Sequence, residues 1–449
     1  MAATAGFGRV DWLAFAITSG ATLVVYLLTI SPQVKLGFSG IFATAAMHGG
    51  VPHPPGYPVA VWWQWLFITL LPVSNIAWRV AVSSAVAAAL ASGLIALLVA
   101  RLGRNMIQHP GSPVGTDAVW VRITCGFVAG AIFGFNGALW GRAVIADVWT
   151  LSMLLFCGTL CLVMRWCWAP EQKRWLYAGC LAYGLTLTNS QILLAAAPAL
   201  PALMAIGNRH LARDVLLIGC ALFGAGLVEG CPGGISLGFF REGKLGSLLP
   251  LHIVIGLLVV TACIMLVVIT GRILSEWKAL LGCSAAFLFG LTPYLYAPLS
   301  SMTNPPMNWG YSRTVGGFLH LVSRGQYENI EPTAELKTVV KQVAMYAAIT
   351  AKEFGWPSLI VAAVPWIRFR RMSAREQRWM LGLLALYLCL TVLVLAVLNP
   401  TDHRDGRQMI KVFFAPSYVV LAVWLGMGLI TLAEIANGMP FRAAQKPDS

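Results

Sequence analysis

The run LPLHIVIGLLVVTACIMLVVIT, residues 249–270, contains no Asp, Glu, Lys or Arg from end to end. A helix needs about 20 apolar residues to cross a hydrocarbon core of about 30 Å, and this stretch is long enough. Comparable runs recur along nearly the whole chain. Of its 449 residues, 58% are hydrophobic and only 11% charged, whereas soluble domains carry about a quarter charged. The reading is an all-α polytopic membrane protein, one integral domain over residues 1–449. No small-residue cleavage site follows the first span, so it reads as a retained helix and not a signal peptide.

Spans are predicted over 13–30, 79–100, 120–138, 147–166, 175–188, 191–206, 214–230, 249–270, 279–298, 354–368, 379–398 and 413–434, about twelve helices with both termini on one side. The segment VAVWWQWLFITLLP after Tyr57 is apolar but short, and its Trp62, Trp63 and Trp65 suit the headgroup layer. It is read as an interfacial helix within a first outer loop, 31–78. Lys and Arg are denser in the loops on the N-terminal side, which puts the termini in the cytoplasm. The same bias accounts for the net charge of +14 without nucleic acid as a partner. Ten cysteines are scattered through the spans with no CxxC, so neither a zinc site nor a disulfide framework is indicated. The Gly/Pro-rich linkers 109–117 and 231–244 carry no recognisable chemistry.

Every unusual motif falls on the far side. GFSGIFATAAMHGGVPHPPGYP, residues 37–58, brackets His53 and Tyr57 with prolines and glycine, so it reads as irregular backbone. Such backbone beside a bilayer survives at a water interface or around a cavity. The junction TNSQ around Asn189 lies between two short helices, within the membrane boundary. A long outer loop, 299–353 between the ninth and tenth helices, holds Asn308, Trp309, Arg313, Arg324 and Tyr327, and its aromatics argue that it folds over the outer mouth. Arg313 and Arg324 either meet an anion bidentately, or pair with Glu328 or Glu331 or touch lipid headgroups. Asp147 either caps the helix that follows it or serves the substrate. His53 either binds acceptor or phosphate, or ties the proline loop together. The run Asp402-His403-Arg404-Asp405 reads as a solvated loop, with metal chelation the weaker reading.

Four motifs in collinear order resemble domain-of-unknown-function family 2723: PHPPGYP at 52–58, LWGRAVIADVWTLS at 139–152, GLTLTNS at 184–190, and NPPMNWG through SRGQY at 304–327. The likeness covers about residues 15–430. That family includes an O-mannosyltransferase of the endoplasmic reticulum and bacterial members of unassigned activity. It implies a GT-C-like architecture, a polyprenyl-phosphate-linked sugar as donor, and a protein or glycan acceptor at the outer face of a bacterial inner membrane. It further implies Asp147 and His53 as catalytic residues. Tyr57, Asn189, Asn308, Trp309, Arg313, Arg324 and Tyr327 would contact substrate, with no metal site and no cofactor named. Where the family reads Gly-Asp-Ser-Gly-Glu, this chain reads Gly37-Phe38-Ser39-Gly40-Ile41, which removes both first-loop acids. Phe and Ile accept no proton, so a non-catalytic member that binds a lipid-linked glycan or joins an envelope assembly is the second expectation. Secondary transport is a weaker third, since charges within the spans are few and no repeat is evident.

Overall fold

A computed structural model of the chain describes residues 6–35, 37–107, 116–230, 245–327, 331–333, 335–401 and 403–436. The linker residues 109–115 and 231–244, Glu328 and Asp402 lie outside them. The described residues are almost wholly helical, with a single isolated β-bridge. In chain order the helices are α1 (Arg9–Thr29), α2 (Ser39–His48), α3 (Pro58–Leu70), α4 (Ile76–Ile107), α5 (Thr116–Phe135), α6 (Gly137–Ala143) and α7 (Trp149–Trp168). Then come α8 (Lys173–Asn189), α9 (Leu200–Gly207), α10 (Arg209–Gly230), α11 (Leu245–Thr270), α12 (Trp277–Leu291), α13 (Tyr296–Met302) and α14 (Val315–Val322). The last are α15 (Leu336–Phe354), α16 (Trp356–Ile367), α17 (Ala374–Leu388), α18 (Val394–Leu398), α19 (Arg404–Ile410) and α20 (Ala415–Ala436).

Among the described residues, nine helical stretches are long and apolar enough to cross a membrane. The other three expected spans, 175–188, 191–206 and 354–368, form helices too short for that test: α8 has 17 residues and α16 has 12, and α9 is preceded by a nine-residue 3-10 stretch, Gln191–Ala199.

Two helices form the spine. α4 packs against α1, α5 and α7, and its small residues Ser92, Gly93 and Ala96 let α1 and the α5 glycines Gly126 and Gly130 approach closely. α20 is buried along nearly its whole length and packs on α16, α5 and α4. By contrast α11 turns most of its side chains outward, as a lipid-facing helix should. Gly184 and Gly290 let α8 and α12 cross in contact, since a Cβ on either would strike the other helix's backbone.

Two expectations about loops need correction. Residues 39–48 of the first outer loop are helical, not irregular. The prolines begin only at Pro52, so they leave SGIFATAAMH free to coil until Gly49 ends it in the left-handed conformation, φ 60°. The long segment 299–353 is not all irregular, because α13 runs to Met302 and α15, which is not among the candidate spans, begins at Leu336. The buried positions of α15 are Gln342, Met345, Tyr346, Thr350 and Phe354, a helical spacing whose polar members obscure it as an apolar run. Segment 58–70 is a helix, α3, with proline at its first turn and Trp62 and Trp65 exposed.

Candidate functional site

The first outer loop and the loop after α13 are locked together. Val51 N–H donates to the Met307 carbonyl at 2.8 Å, and Trp309 N–H donates to the Val51 carbonyl at 2.9 Å. Gly50 is required here, because a Cβ would collide with the Met307 carbonyl oxygen. Tyr296 and Ser300 on α13 donate to the Gly50 and Gly49 carbonyls at 3.1 and 2.5 Å. The proline segment that follows is thus held as a rigid bend before α3.

His53 sits in that bend between Phe38 and Trp309, with ring centroids 4.5 and 5.4 Å away. Its Nδ1 is 2.9 Å from the Pro54 carbonyl. A carbonyl can only accept, so Nδ1 carries the proton and Nε2 holds a lone pair. Gln326 donates to that lone pair at 3.1 Å and accepts from the Trp309 indole at 3.0 Å. Arg324 donates to the Pro54 carbonyl at 3.1 Å and to the Tyr57 hydroxyl at 3.2 Å. Burial pushes the His53 imidazole below its ordinary value; the Pro54 bond opposes this and the Arg324 charge adds to it. The ring is therefore neutral near pH 7.

Asp147 anchors a second polar group. One carboxylate oxygen accepts the Trp149 N–H at 2.8 Å, which caps the start of α7, and the other pairs with Arg142 at 3.1 Å. The side chain is 4% exposed while Arg142 is 37% exposed, so the pair reaches the surface through its cation. Burial pushes the Asp147 carboxyl up, opposed first by Arg142 and then by the Trp149 N–H. Ser84 bonds both the N–H and the carbonyl of Asp147, each at 3.1 Å. Gln64 donates to the Asp147 carbonyl at 3.0 Å, and Asn189 to the adjacent Val148 carbonyl at 3.0 Å and to Ser152 at 2.7 Å. Two amide side chains thus clamp consecutive carbonyls. Their own carbonyl oxygens, with the hydroxyls of Thr150 and Ser190, are buried with no protein partner. Tyr57, Phe42 and Val148 share one apolar cluster, which joins the two polar groups.

Of the residues expected from sequence, His53, Tyr57, Trp309 and Arg324 come together, and Asp147 and Asn189 come together. Asn308 donates to the Ser301 carbonyl at 3.3 Å and leaves its own carbonyl oxygen buried without a partner. Arg313 stands apart, bonded to Asn304 at 2.9 Å and lying over the Tyr311 ring. Tyr327 closes the 3-10 turn Gly325–Tyr327. Sequence reasoning missed Arg142, Gln64, Gln326 and Glu353. Gln64 had a signal, as the only amide in an otherwise apolar aromatic helix. Glu353 had none: it reaches from the end of α15 to accept the Ala138 N–H at 2.9 Å and to pair with Lys411 at 3.5 Å. Among the described residues no three His, Cys, Asp or Glu side chains gather to hold a metal ion.

Beside this region lies an apolar cavity of about 760 Å³ bounded by α8, the 3-10 stretch and α10 to α12. Gln191 lines it, two residues beyond Asn189, and donates to Tyr294 at 3.1 Å and to the Val322 carbonyl at 2.7 Å. A 3-10 run this long is uncommon and marks a hinge or strained segment.

The family model of the protein O-mannosyl-transferase TMEM260 N-terminal domain matches residues 39–213. Over 92% of its length the chain is 26% identical to protein O-mannosyl-transferase TMEM260 of Mus musculus, of which it covers 49%. Over 38% of its length it is 24% identical to protein O-mannosyl-transferase tmem260 of Dictyostelium discoideum, covering 21% of that protein. The chain therefore spans about half the length of the mouse relative. Among solved structures it is similar to ArnT from Cupriavidus metallidurans bound to undecaprenyl phosphate, at a TM-score of 0.28 and 13% identity over 96% of this chain and 78% of that one.

Proposed function

We propose that this chain is a GT-C-like membrane glycosyltransferase that moves a sugar, a mannosyl group by analogy with the named relatives, from a polyprenyl phosphate to a hydroxyl acceptor at the outer face. One observation carries the reading: an apolar cavity of about 760 Å³ has Gln191 in its wall, and the contacts of Gln191 lead toward both polar groups. From Gln191 in the cavity wall the contacts run to Val322, two residues before Arg324, and along the chain back to Asn189 beside Asp147. An isoprenoid tail suits the cavity, and guanidinium groups suit the phosphate that departs with developing charge.

In this reading the neutral His53 accepts the acceptor's proton at Nε2 once Gln326 gives way, the task of a general base. Asp147 is the other proton acceptor, its basicity raised by burial, and it also holds Arg142 toward the surface. Tyr57, Asn189, Asn308, Trp309 and Tyr327 line the substrates, with Arg313 and Arg324 on the phosphate side. The acceptor is a protein or a glycan. The membrane is a bacterial inner membrane with cytoplasmic termini. Reporter fusions after Arg371 are then cytoplasmic and those after Thr333 periplasmic, and a cytoplasmic Thr333 fusion reverses the orientation.

The decisive measurement is release of polyprenyl phosphate from a labelled polyprenyl-phosphate sugar. Asp147→Asn keeps the shape and still accepts the Trp149 N–H, yet it lacks the charge that holds Arg142. Turnover is expected to fall by roughly 10²–10⁴-fold with unchanged yield of folded protein. Full turnover in Asp147→Asn removes the residue from the mechanism. A second reading rests on Phe38 and Ile41 at the former acid positions and on both Asp147 oxygens being engaged. It makes the chain a binder of lipid-linked glycan, for which wild type binds the donor and releases nothing.

A further inference from the structure

α7 runs for 20 residues from Trp149 to Trp168, so its far end lies about 30 Å from Asp147. There it meets the α9–α10 junction and the start of α17. α9 packs on α17, Cys167 lies 3.6 Å from the Leu203 carbonyl, and the rings of Trp168 and Trp379 are 6.5 Å apart. Arg101 lies over the Trp168 ring at 4.1 Å, and three further arginines stand near α17. Arg378 is within electrostatic reach of Arg209 and Arg375, and Arg375 of Cys167.

No carboxylate answers this charge. Arg209, Arg375 and Arg378 make no ion pair among the described residues. The nearest acid along the chain, Glu376, is turned back to accept from the Ser373 N–H and hydroxyl, each at 2.8 Å. Other arginines on this side have acids: Arg122 has Asp11, Arg213 has Asp214 and Arg368 has Glu434. The second observation is independent of charge. The Trp379 indole N–H is buried with no partner, on a residue only 4% exposed, and the Trp168 N–H is likewise unanswered. Trp379 follows Arg375 by one helical turn and so shares its face of α17.

We propose that this corner binds the phosphate of an anionic phospholipid headgroup. Arg378 gives one N–H to the Ala374 carbonyl at 3.1 Å, but no acid meets the three cations and both indole N–H groups are unanswered, so the fitting ligand is an anion rich in acceptor oxygens. A lipid fits better than a free phosphate because the arginines lead into an apolar track. Leu381 and Leu388, three and ten residues beyond Arg378, are about half exposed on the same helix, where an acyl chain can lie. Trp and Arg at the end of a membrane helix are the side chains suited to the headgroup layer.

The test uses the full chain in bilayer discs of phosphatidylcholine with a minor share of phosphatidylglycerol, and native mass spectrometry to count the lipids retained. Wild type should retain phosphatidylglycerol over phosphatidylcholine. The R209Q/R375Q/R378Q variant should lose affinity by roughly fivefold per arginine. Trp379→Phe removes only the N–H donor and should weaken retention by a few-fold, on the order of one hydrogen bond. K337Q/K341Q, which removes two charges from α15 instead, should leave retention unchanged. The proposal is overturned if wild type shows no lipid preference, if the triple variant retains the lipid as well as wild type, or if K337Q/K341Q loses it equally. Displacement of the lipid by inorganic phosphate would reassign the corner to a free anion and sink the lipid assignment.

Discussion

Two buried polar clusters sit at opposite ends of the bundle and are finished differently. Around Arg213, at the start of α10, everything is answered. The guanidinium donates twice to Asp214, at 2.8 and 2.6 Å, and to Thr270 and Ser275, each at 2.8 Å; Asp214 accepts the Leu274 and Glu276 N–H groups at 3.1 and 2.7 Å. Around Asp147, the carbonyl oxygens of Gln64 and Asn189 and the hydroxyls of Ser190 and Thr150 have no protein partner. A fully satisfied buried network fixes structure, here the turn 271–276 between α11 and α12. Unsatisfied buried groups are rare in proteins and call for a reason, and a bound ligand or water supplies one. The first cluster is a staple, and the second has the unanswered groups that the proposed site requires.

The largest effect should come from cutting the staple. Arg213→Gln leaves Asp214 as a buried, uncompensated charge and should cost about 3–5 kcal/mol of stability in denaturant melts in detergent. A loss below about 1 kcal/mol would mean that the pair is not buried against solvent as described.

A pH shift should separate the two ends by a smaller amount. The His53 value is lowered in the folded protein from its ordinary 6.5. The unfolded chain then binds more protons than the folded one in the window just below 6.5, so stability is present above that pH and lost as pH falls through the window. Hydrogen exchange in residues 51–57 and 322–326, corrected for intrinsic rate, should speed up at about pH 5 relative to about pH 7.5, while residues 271–276 keep their protection. Equal acceleration at both ends would break the contrast.

The smallest stability effect belongs to Gln64→Leu. It removes one bond to the Asp147 carbonyl but also an orphaned acceptor, so the net change should lie within about 1 kcal/mol. If the region is a substrate site, donor binding should nonetheless weaken. Loss of several kcal/mol, with donor affinity kept, would make Gln64 a structural residue like Arg213.

Sequence alone revealed the helical membrane class, because long runs without charge admit few other readings. It also placed His53, Tyr57, Trp309 and Arg324 on one side of the chain's spans, in segments that meet in space. What it hid was mostly carried by single polar side chains acting across the fold. Gln64 reaches Asp147 and Glu353 reaches Ala138, and no periodicity marks either contact. Short helices were obscured for a related reason: α2 lies among glycines, and α15 buries Gln342 and Thr350 on its inner face. The meaning of Asp147 was left open between cap and site, and its carboxylate indeed caps α7 while also holding Arg142.

The bridge between Val51 and Asn308 ties the first outer loop to a segment made much later. At roughly 5–20 residues per second, the loop bearing His53 waits tens of seconds for its partner to leave the ribosome. Throughout that interval α2 and the proline bend lack the grip of α13 and of residues 307–309, and Gln326 does not yet exist to bond His53. The pocket around His53 is therefore a late product of biogenesis, assembled only after most of the chain has been made.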